Sequence, residues 1–487
     1  MRTLSSLLLG LALLGPASRA QEDGPPNVVL ILADDLGWGE LGCYGQALIQ
    51  TPRIDSLAAD GMRFTRFYSG SPVCAPSRCV LLTGLHTGHA IVRNNWENGG
   101  WGPDEPEGQF PLPAGTPQLG SLLSRAGFAT GAFGKWGLGG PGTSGAPENQ
   151  GFDHFLGYLC QRKAHNYYPT HLWHNGEKLE LEGNAWFSAH QRIEAPLESE
   201  DAYYERFAAA QYAPELMLEG ALAFLRENAE RPFFLYYPSP IPHVALQVPR
   251  EDLEAYPAEW DSEPYLGQRS YLPHPSPRRA YAAMVSHLDR EVGAILDELE
   301  RLGLSENTVV LFTSDNGPTF NGGSDSAFFD SAPGMRGLKV DVYEGGIRVP
   351  LLARWPGRIA AGSTSEHLSG FQDVLPTLLE LAGEPAVEGL DGISLAPTLL
   401  GAGVQERHEL LYWELGGQQA VRFGDWKAVR RNLRRGDTAL ELYDLANDPL
   451  ESRDLAQERP RVAARAAALL EAARTPSADF PIEALDG

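Results

Sequence analysis

Two aliphatic runs, each closed by a pair of oxygen-bearing side chains, constrain this chain more than any other feature. Asn27-Val28-Val29-Leu30-Ile31-Leu32-Ala33 leads into Asp34-Asp35, and Thr308-Val309-Val310-Leu311-Phe312-Thr313 leads through Ser314 into Asp315-Asn316-Gly317. A run without polar alternation is apolar on both faces, as a central strand of a parallel sheet must be when helices cover both sides. Further strands are expected at Ala129 to Phe133, Pro232 to Tyr237 and Val349 to Arg354. Helices are expected at Thr51 to Gly61, at Pro214 to Asn228 and near Val374 to Ala382. A strongly amphipathic one spans Ala280 to Leu302, with Val285, Leu288, Val292, Ile295, Leu296 and Leu299 on one face. Strands alternating with helices imply an α/β fold: a large, mostly parallel sheet flanked by helices. Such sheets place ligands beyond the carboxyl ends of their strands. Both acidic clusters sit at such ends.

Past about Leu400 the pattern changes to short strands. Ala420 to Phe423 and Trp426 to Arg430 are joined by Gly424-Asp425 as a hairpin, and a helix follows from Arg461 to Ala473. This divides the chain into an α/β domain over 21–400 and a smaller C-terminal antiparallel sheet plus helix over 401–487. Residues 1–20 read as a secretory signal. Arg2 precedes the apolar run Leu7 to Leu14, and Ser18-Arg19-Ala20 offers a cleavage site after Ala20. The expected location is therefore secreted or periplasmic. No later segment approaches a membrane-spanning length, so no integral membrane segment is expected. The net charge of −24 repels nucleic acid and anionic membranes, so any anion site must be locally basic. Four cysteines (Cys43, Cys74, Cys79 and Cys160) are not a disulfide framework for an exported chain of this size. Pro- and Gly-rich stretches at 97–118, 139–151, 255–279 and 317–335 read as long loops that frame a site.

The pentapeptide Cys74-Ala75-Pro76-Ser77-Arg78, followed by Cys79-Val80-Leu81-Leu82, reads as the start of a helix with Pro76 at its first position. The unpaired N–H groups and positive dipole end there favour an anion beside Cys74. Arg78, four residues on, shares that helix face. Asp34, Asp35, Asp315 and Asn316 form an all-oxygen set, which suits a hard divalent cation, Ca²⁺ or Mg²⁺, over zinc. The His ligands that a two-zinc phosphatase needs are not evident.

These residues fall into an ordered series. Leu32-Ala33-Asp34-Asp35-Leu36-Gly37 is followed by Cys74-Ala75-Pro76-Ser77-Arg78, then Gly134-Lys135-Trp136-Gly137-Leu138-Gly139 and Pro242-His243. Ser314-Asp315-Asn316-Gly317, Arg336-Gly337-Leu338-Lys339 with Glu344-Gly345-Gly346, and Leu442-Tyr443-Asp444-Leu445 complete it. From Asn27 almost to the C-terminus the chain resembles the type I, formylglycine-dependent sulfatases of the alkaline-phosphatase-like fold. The resemblance implies that a maturase oxidises Cys74 to formylglycine, an aldehyde whose hydrate attacks sulfur. It implies a cation, Ca²⁺ with Mg²⁺ the alternative, held by Asp34, Asp35, Asp315, Asn316 and the residue made from Cys74. Arg78, Lys135 and Lys339 would neutralise the sulfuryl oxygens. His243 would protonate the departing alcohol.

Two departures stand out. Many members carry His where this chain has Gly137; in those relatives it contacts the formylglycine hydroxyl and is a candidate base for sulfate release. Here another side chain, a water or an ionised diol has to serve. His243 is followed by Val244-Ala245, without the proline that often comes two places on. Between Asn149 and Trp173 lies an insert rich in polar and aromatic groups, including Arg162, His165 and Tyr167. It reads either as a flexible loop that faces the substrate, with aromatics for sugar rings and Arg or His for hydroxyls, or as a solvent-exposed insertion. His86 and His89 are lesser candidates. The expected function is hydrolysis of sulfate esters on a sulfated carbohydrate. The alternatives are a phosphonate or phosphodiester hydrolase of the same superfamily, or an inactive glycan-binding relative.

Overall fold

The computed structural model describes residues 24–486; the signal-peptide reading of residues 1–20 lies outside them. Ten strands form the main sheet: β1 (Asn27–Ala33), β2 (Met62–Phe64), β3 (Ala129–Lys135), β4 (His154–Tyr158), β5 (His171–His174), β6 (Glu177–Glu180), β7 (Phe233–Pro238), β8 (Thr308–Ser314), β9 (Leu351–Arg354) and β10 (Ser363–Ser365). Their spatial order is β10-β2-β9-β8-β1-β7-β3-β4-β5-β6. The centre, β8-β1-β7-β3-β4, is parallel throughout.

Every residue of β1 and of β8 is buried. The two faces enter different cores: Val29 and Ile31 pack under the long helix Pro277–Arg301, while Val28, Leu30 and Leu32 pack under helices Cys74–Thr83 and Val374–Leu381. This is the two-sided coverage that the aliphatic runs demand.

Two local expectations are corrected, and one strand departs from the parallel majority. The strand after Asp315 runs antiparallel to β8. The intervening stretch stays at the carboxyl end of the sheet as loop and one short helix, Glu344–Ile347, so the chain can only return in the opposite direction. The insert between Asn149 and Trp173 is not a free loop. It supplies β4, the 3₁₀ turn Lys163–His165 and the start of β5, and so widens the sheet. The signature helix starts at Cys74, which puts Pro76 at its third position. The first-turn N–H groups have no partner within a helix, so Pro is tolerated there equally well. Gly84, at φ 72°, ends the helix with its N–H on the Val80 carbonyl.

The C-terminal sheet is antiparallel, β11 (Leu411–Leu415), β12 (Gln418–Phe423), β13 (Trp426–Arg430) and β14 (Glu441–Asp444), with helix Pro460–Ala472 against it. Phe423 pairs with Trp426 across the Gly424-Asp425 turn. All four cysteines are free. Among the described residues no helix is long and apolar enough to cross a membrane.

Candidate active site

The carboxyl ends of β1, β8 and β3 converge on the head of helix Cys74–Thr83. Asp34 and Asp35 follow β1, and the Asp34 N–H donates to Ile241 O (3.1 Å). Asp35 is held at φ 65°, a left-handed conformation costly for any residue with a Cβ. Its N–H donates to Asp315 Oδ1 (3.1 Å), Asn316 Nδ2 donates to its Oδ1 (2.8 Å), and Lys339 Nζ lies 2.8 Å from its Oδ2. Arg78 is wholly buried. It sends Nε and Nη2 to Asp315 Oδ2 (3.1 and 2.8 Å), and Nη2 also reaches Asp34 Oδ2 (3.3 Å). Lys135, the last residue of β3, bonds Asp34 Oδ2 and lies 3.5 Å from Cys74 Sγ. Cys74 Sγ is also 3.5 Å from Asp34 Oδ1.

Electrostatics follows from this crowding in a dry place. Burial alone would raise Asp34, but Lys135, His243 and Arg78 hold it well below the usual carboxylate range. Burial and the charge of Asp34 push Asp315 up to about 6, still ionised at neutral pH. Burial and Asp34 push the Cys74 thiol far up. A protonated, buried thiol is a poor nucleophile. Burial and Lys339 press His243 down to about 3, so its imidazole is neutral. Nδ1 meets the Val244 carbonyl and must donate to it, which leaves Nε2 bare, 3.6 Å from Asp35 Oδ2.

Asp34, Asp35, Cys74 and His243 offer donor atoms that all lie within 4.8 Å of one another. Asn316 Oδ1 is buried without a hydrogen-bond partner. An orphaned amide oxygen beside three carboxylates is what a hard cation would satisfy, so these residues fit a Ca²⁺ or Mg²⁺ ion. Asp315 Oδ2 accepts from Arg78 and its Oδ1 from the Asp35 N–H, and each carboxylate oxygen keeps a further lone pair that a cation could use.

The substrate candidates separate. Tyr167 is fully buried, and its hydroxyl lies 2.6 Å from both the Pro240 and the His243 carbonyl oxygens. It braces the His243 loop from behind and does not face a substrate, which corrects the sequence reading. His165 stacks on His243, with ring centroids 4.6 Å apart and planes 9° apart. Its Nδ1 pairs with His190 Nε2 (2.9 Å), and His190 Nδ1 pairs with Ser270 Oγ (2.6 Å). Arg162 faces a shallow pocket shared with Lys163, Trp186 and His190, its guanidinium 3.4 Å from the Trp101 ring and bonded to Glu97 (3.0 Å). His86 and His89 stack on each other, and His89 Nδ1 bonds Asp391 (2.8 Å). They follow the far end of helix Cys74–Thr83, about 15 Å long at 1.5 Å per residue. His190, which lies against His165, carries no pattern that marks it in the sequence.

A fold of this kind, with an acidic cradle that fits a cation and a cluster of buried basic side chains at the strand ends, defines a hydrolase that handles anionic esters. The sequence profile of the Sulfatase family matches residues 26–384, and that of the N-sulphoglucosamine sulphohydrolase C-terminal region matches residues 338–472. Arylsulfatase A of Homo sapiens is 35% identical, covering 92% of this chain and 86% of the relative. N-acetylgalactosamine-6-sulfatase of Canis lupus familiaris is 34% identical, covering 87% and 74%. Among solved structures, Ps i-CgsB in complex with k-i-k-neocarrahexaose superposes with a TM-score of 0.73 at 26% identity, covering 92% of each chain. The phosphonate monoester hydrolase of Agrobacterium radiobacter shares the fold, at a TM-score of 0.62 and 21% identity. The chain belongs to the sulfatase family. It is a sulfuric ester hydrolase.

Proposed function

We propose that this enzyme is exported and cleaves sulfate esters of a carbohydrate, using formylglycine made from Cys74 and a divalent cation. The observation that carries the proposal is the state of Cys74. It sits at a helix N-terminus within 3.5 Å of both Asp34 and Lys135, yet its thiol is held protonated and unreactive. A cysteine so placed is of little use as a thiol, which supports its oxidation by a maturase and an external oxidant. Once made and hydrated, that aldehyde would supply a hydroxyl as the nucleophile toward sulfur. Asp34, Asp35, Asp315 and Asn316 would hold the cation, Ca²⁺ with Mg²⁺ the alternative, which would supply Lewis acidity at this centre.

Charge balance supports a metal. Asp34, Asp35 and Asp315 face Arg78, Lys135 and Lys339, so the cluster is neutral by itself. A divalent ion makes it cationic inside a protein of net charge −24, and only then does it attract an anionic ester. Arg78, Lys135 and Lys339 present fixed positive charge to the sulfuryl oxygens without reorganising. His243 carries the proton for the leaving alcohol on Nε2. Nε2 is bare at rest, so it would take up that proton from solvent as the anionic substrate binds and offsets the effect of Lys339.

Carbohydrate as the substrate class is supported by the names of the relatives above and by Trp101 and Trp186, each about half exposed beside Arg162. The deciding experiment is the mass of the tryptic peptide that spans Cys74, from enzyme made with a maturase. The aldehyde or its hydrate is expected. An intact thiol in fully active enzyme would overturn the proposal.

A further inference from the structure

Within the stretch 255–279, one of the loops expected to frame the site, Ser270 and Tyr271 both adopt a left-handed backbone, at φ 64° and 65°. Among the described residues this is the one place where two adjacent residues other than glycine do so. The conformation costs free energy at each, because Cβ crowds the following carbonyl, and it persists only where the surroundings impose it. Here they do. The Tyr265 N–H donates to His274 O (2.9 Å) and the His274 N–H to Tyr265 O (2.8 Å), which closes the loop at its base. The Tyr265 hydroxyl donates to Ser270 O and accepts from the Arg269 N–H (2.9 Å). Ser270 Oγ, in turn, is tied to His190 Nδ1 (2.6 Å).

The result is that the Tyr271 ring is turned onto the histidines of the site. Its centroid lies 4.7 Å from that of His190, 5.2 Å from that of His165 and 5.7 Å from that of His243. It meets His243 edge to face, at 75°. Burial lifts the phenol to about 12, and Lys339, Asp35 and Cys74 also act on it, Lys339 most strongly. The hydroxyl therefore stands in the field of the reacting centre and keeps its proton at neutral pH. No described residue hydrogen-bonds it, yet it retains some access in a residue only 9% exposed. A donor fixed by three rings beside His243, and left without a partner in the protein, is placed to meet a ligand.

We propose that Tyr271 is a substrate-contacting residue on the leaving-group side, its O–H donating to a sugar hydroxyl beside the oxygen that carries the sulfate. The inference rests on the carbohydrate reading and on the role of His243 given above. His243 serves the ester oxygen through Nε2, and the phenol stands at the edge of that ring. The next oxygen of the same alcohol is therefore the one within its reach. Tyr271 selects and orients the alcohol and takes no part in proton transfer. A simple aryl sulfate offers no such hydroxyl, so the contact favours sugar esters over it.

The test uses the full-length enzyme and Tyr271→Phe, with a panel of monosaccharide sulfates and 4-nitrophenyl sulfate as substrates. For the best sugar sulfate, kcat/KM should fall about tenfold, as for one lost hydrogen bond. The loss on 4-nitrophenyl sulfate should be at least about fivefold smaller. The melting temperature should match that of the parent, because the hydroxyl has no partner in the protein. Analogues of that sugar sulfate, each lacking one hydroxyl beside the sulfate, complete a cycle. One of them should lose about tenfold with the parent and nothing further with Tyr271→Phe. Further loss with every analogue would exclude the hydroxyl contact. Equal losses on sugar and aryl sulfates, with or without a lower melting temperature, would make Tyr271 a support for His243 and overturn the proposal. Unchanged kinetics would mean that the hydroxyl meets only water, and would overturn it equally. A parent that cleaves 4-nitrophenyl sulfate and no sugar sulfate would refute the carbohydrate reading and this inference with it, a result distinct from an active parent and an indifferent variant.

Discussion

Replacing Tyr167 with Phe separates a substrate contact from a strut. The ring is buried and packs against Tyr212, with centroids 5.9 Å apart, so Phe keeps the apolar packing and deletes one oxygen. That oxygen lies 2.6 Å from the Pro240 and His243 carbonyls. Burial keeps its pKa far above the usual phenol range, so it is always a donor. One hydrogen bond shared between two carbonyls is lost, and neither carbonyl gains water in exchange. The expected cost is about 1–2 kcal/mol of folding free energy, read by guanidinium unfolding. The same bond fixes the backbone that carries His243. A side chain misplaced by about 1 Å can cost as much as ~100-fold in rate, so kcat should fall between about 3- and 100-fold while KM stays within about twofold. The loss should be largest for poor leaving groups, which need the proton most. Unchanged stability with a raised KM and an intact kcat would refute this reasoning and return Tyr167 to the substrate surface.

Burial lifts Glu291 from 4.5 to about 7, so the folded state holds its proton more tightly than the unfolded chain does. The stability from that proton is complete below pH 4.5 and is lost as pH rises through 7. Gln mimics the protonated form, so Glu291→Gln should gain on the parent by about 3 kcal/mol between pH 4 and pH 8 in denaturant titrations; a pH-independent gap would contradict it. His243→Ala should slow alkyl and sugar sulfates at least about tenfold more than activated aryl sulfates, and equal losses would exclude an acid role. Chelation should return the acidic and basic cluster to neutrality, abolish activity and weaken sulfate binding, with Ca²⁺ or Mg²⁺ restoring both. Sulfate affinity indifferent to chelation would place the cation elsewhere. Arg78→Ala leaves Asp315 and Asp34 buried without that partner and should cost about 3–5 kcal/mol, seen as loss of soluble protein or a lower unfolding midpoint.

The central strands were legible because burial on both faces leaves no room for polar alternation, and the helix over Pro277–Arg301 because its apolar period is unmistakable. The insert after Asn149 misled for the opposite reason. Its strands β4 and β5 are short, lie toward the sheet edge and alternate with polar residues, so they look like an exposed loop until β4 pairs with β3 and β5 with β4. Tyr167 and Arg162 illustrate a further limit: a phenol that braces a carbonyl and one that meets a sugar have the same local sequence.

By itself the sequence determined the parallel sheet, the ordered motifs that bring Cys74, the acids and the cations together, and the absence of a side chain at Gly137. Each is written in contiguous residues whose spacing or order carries the information. Only the tertiary structure decided that Tyr167 supports His243, that the thiol of Cys74 is held protonated, and that Tyr271 is turned onto His243 with its hydroxyl unpaired. Those depend on which distant groups share a dry volume, and desolvation and unpaired hydrogen bonds arise only once the chain has closed around them.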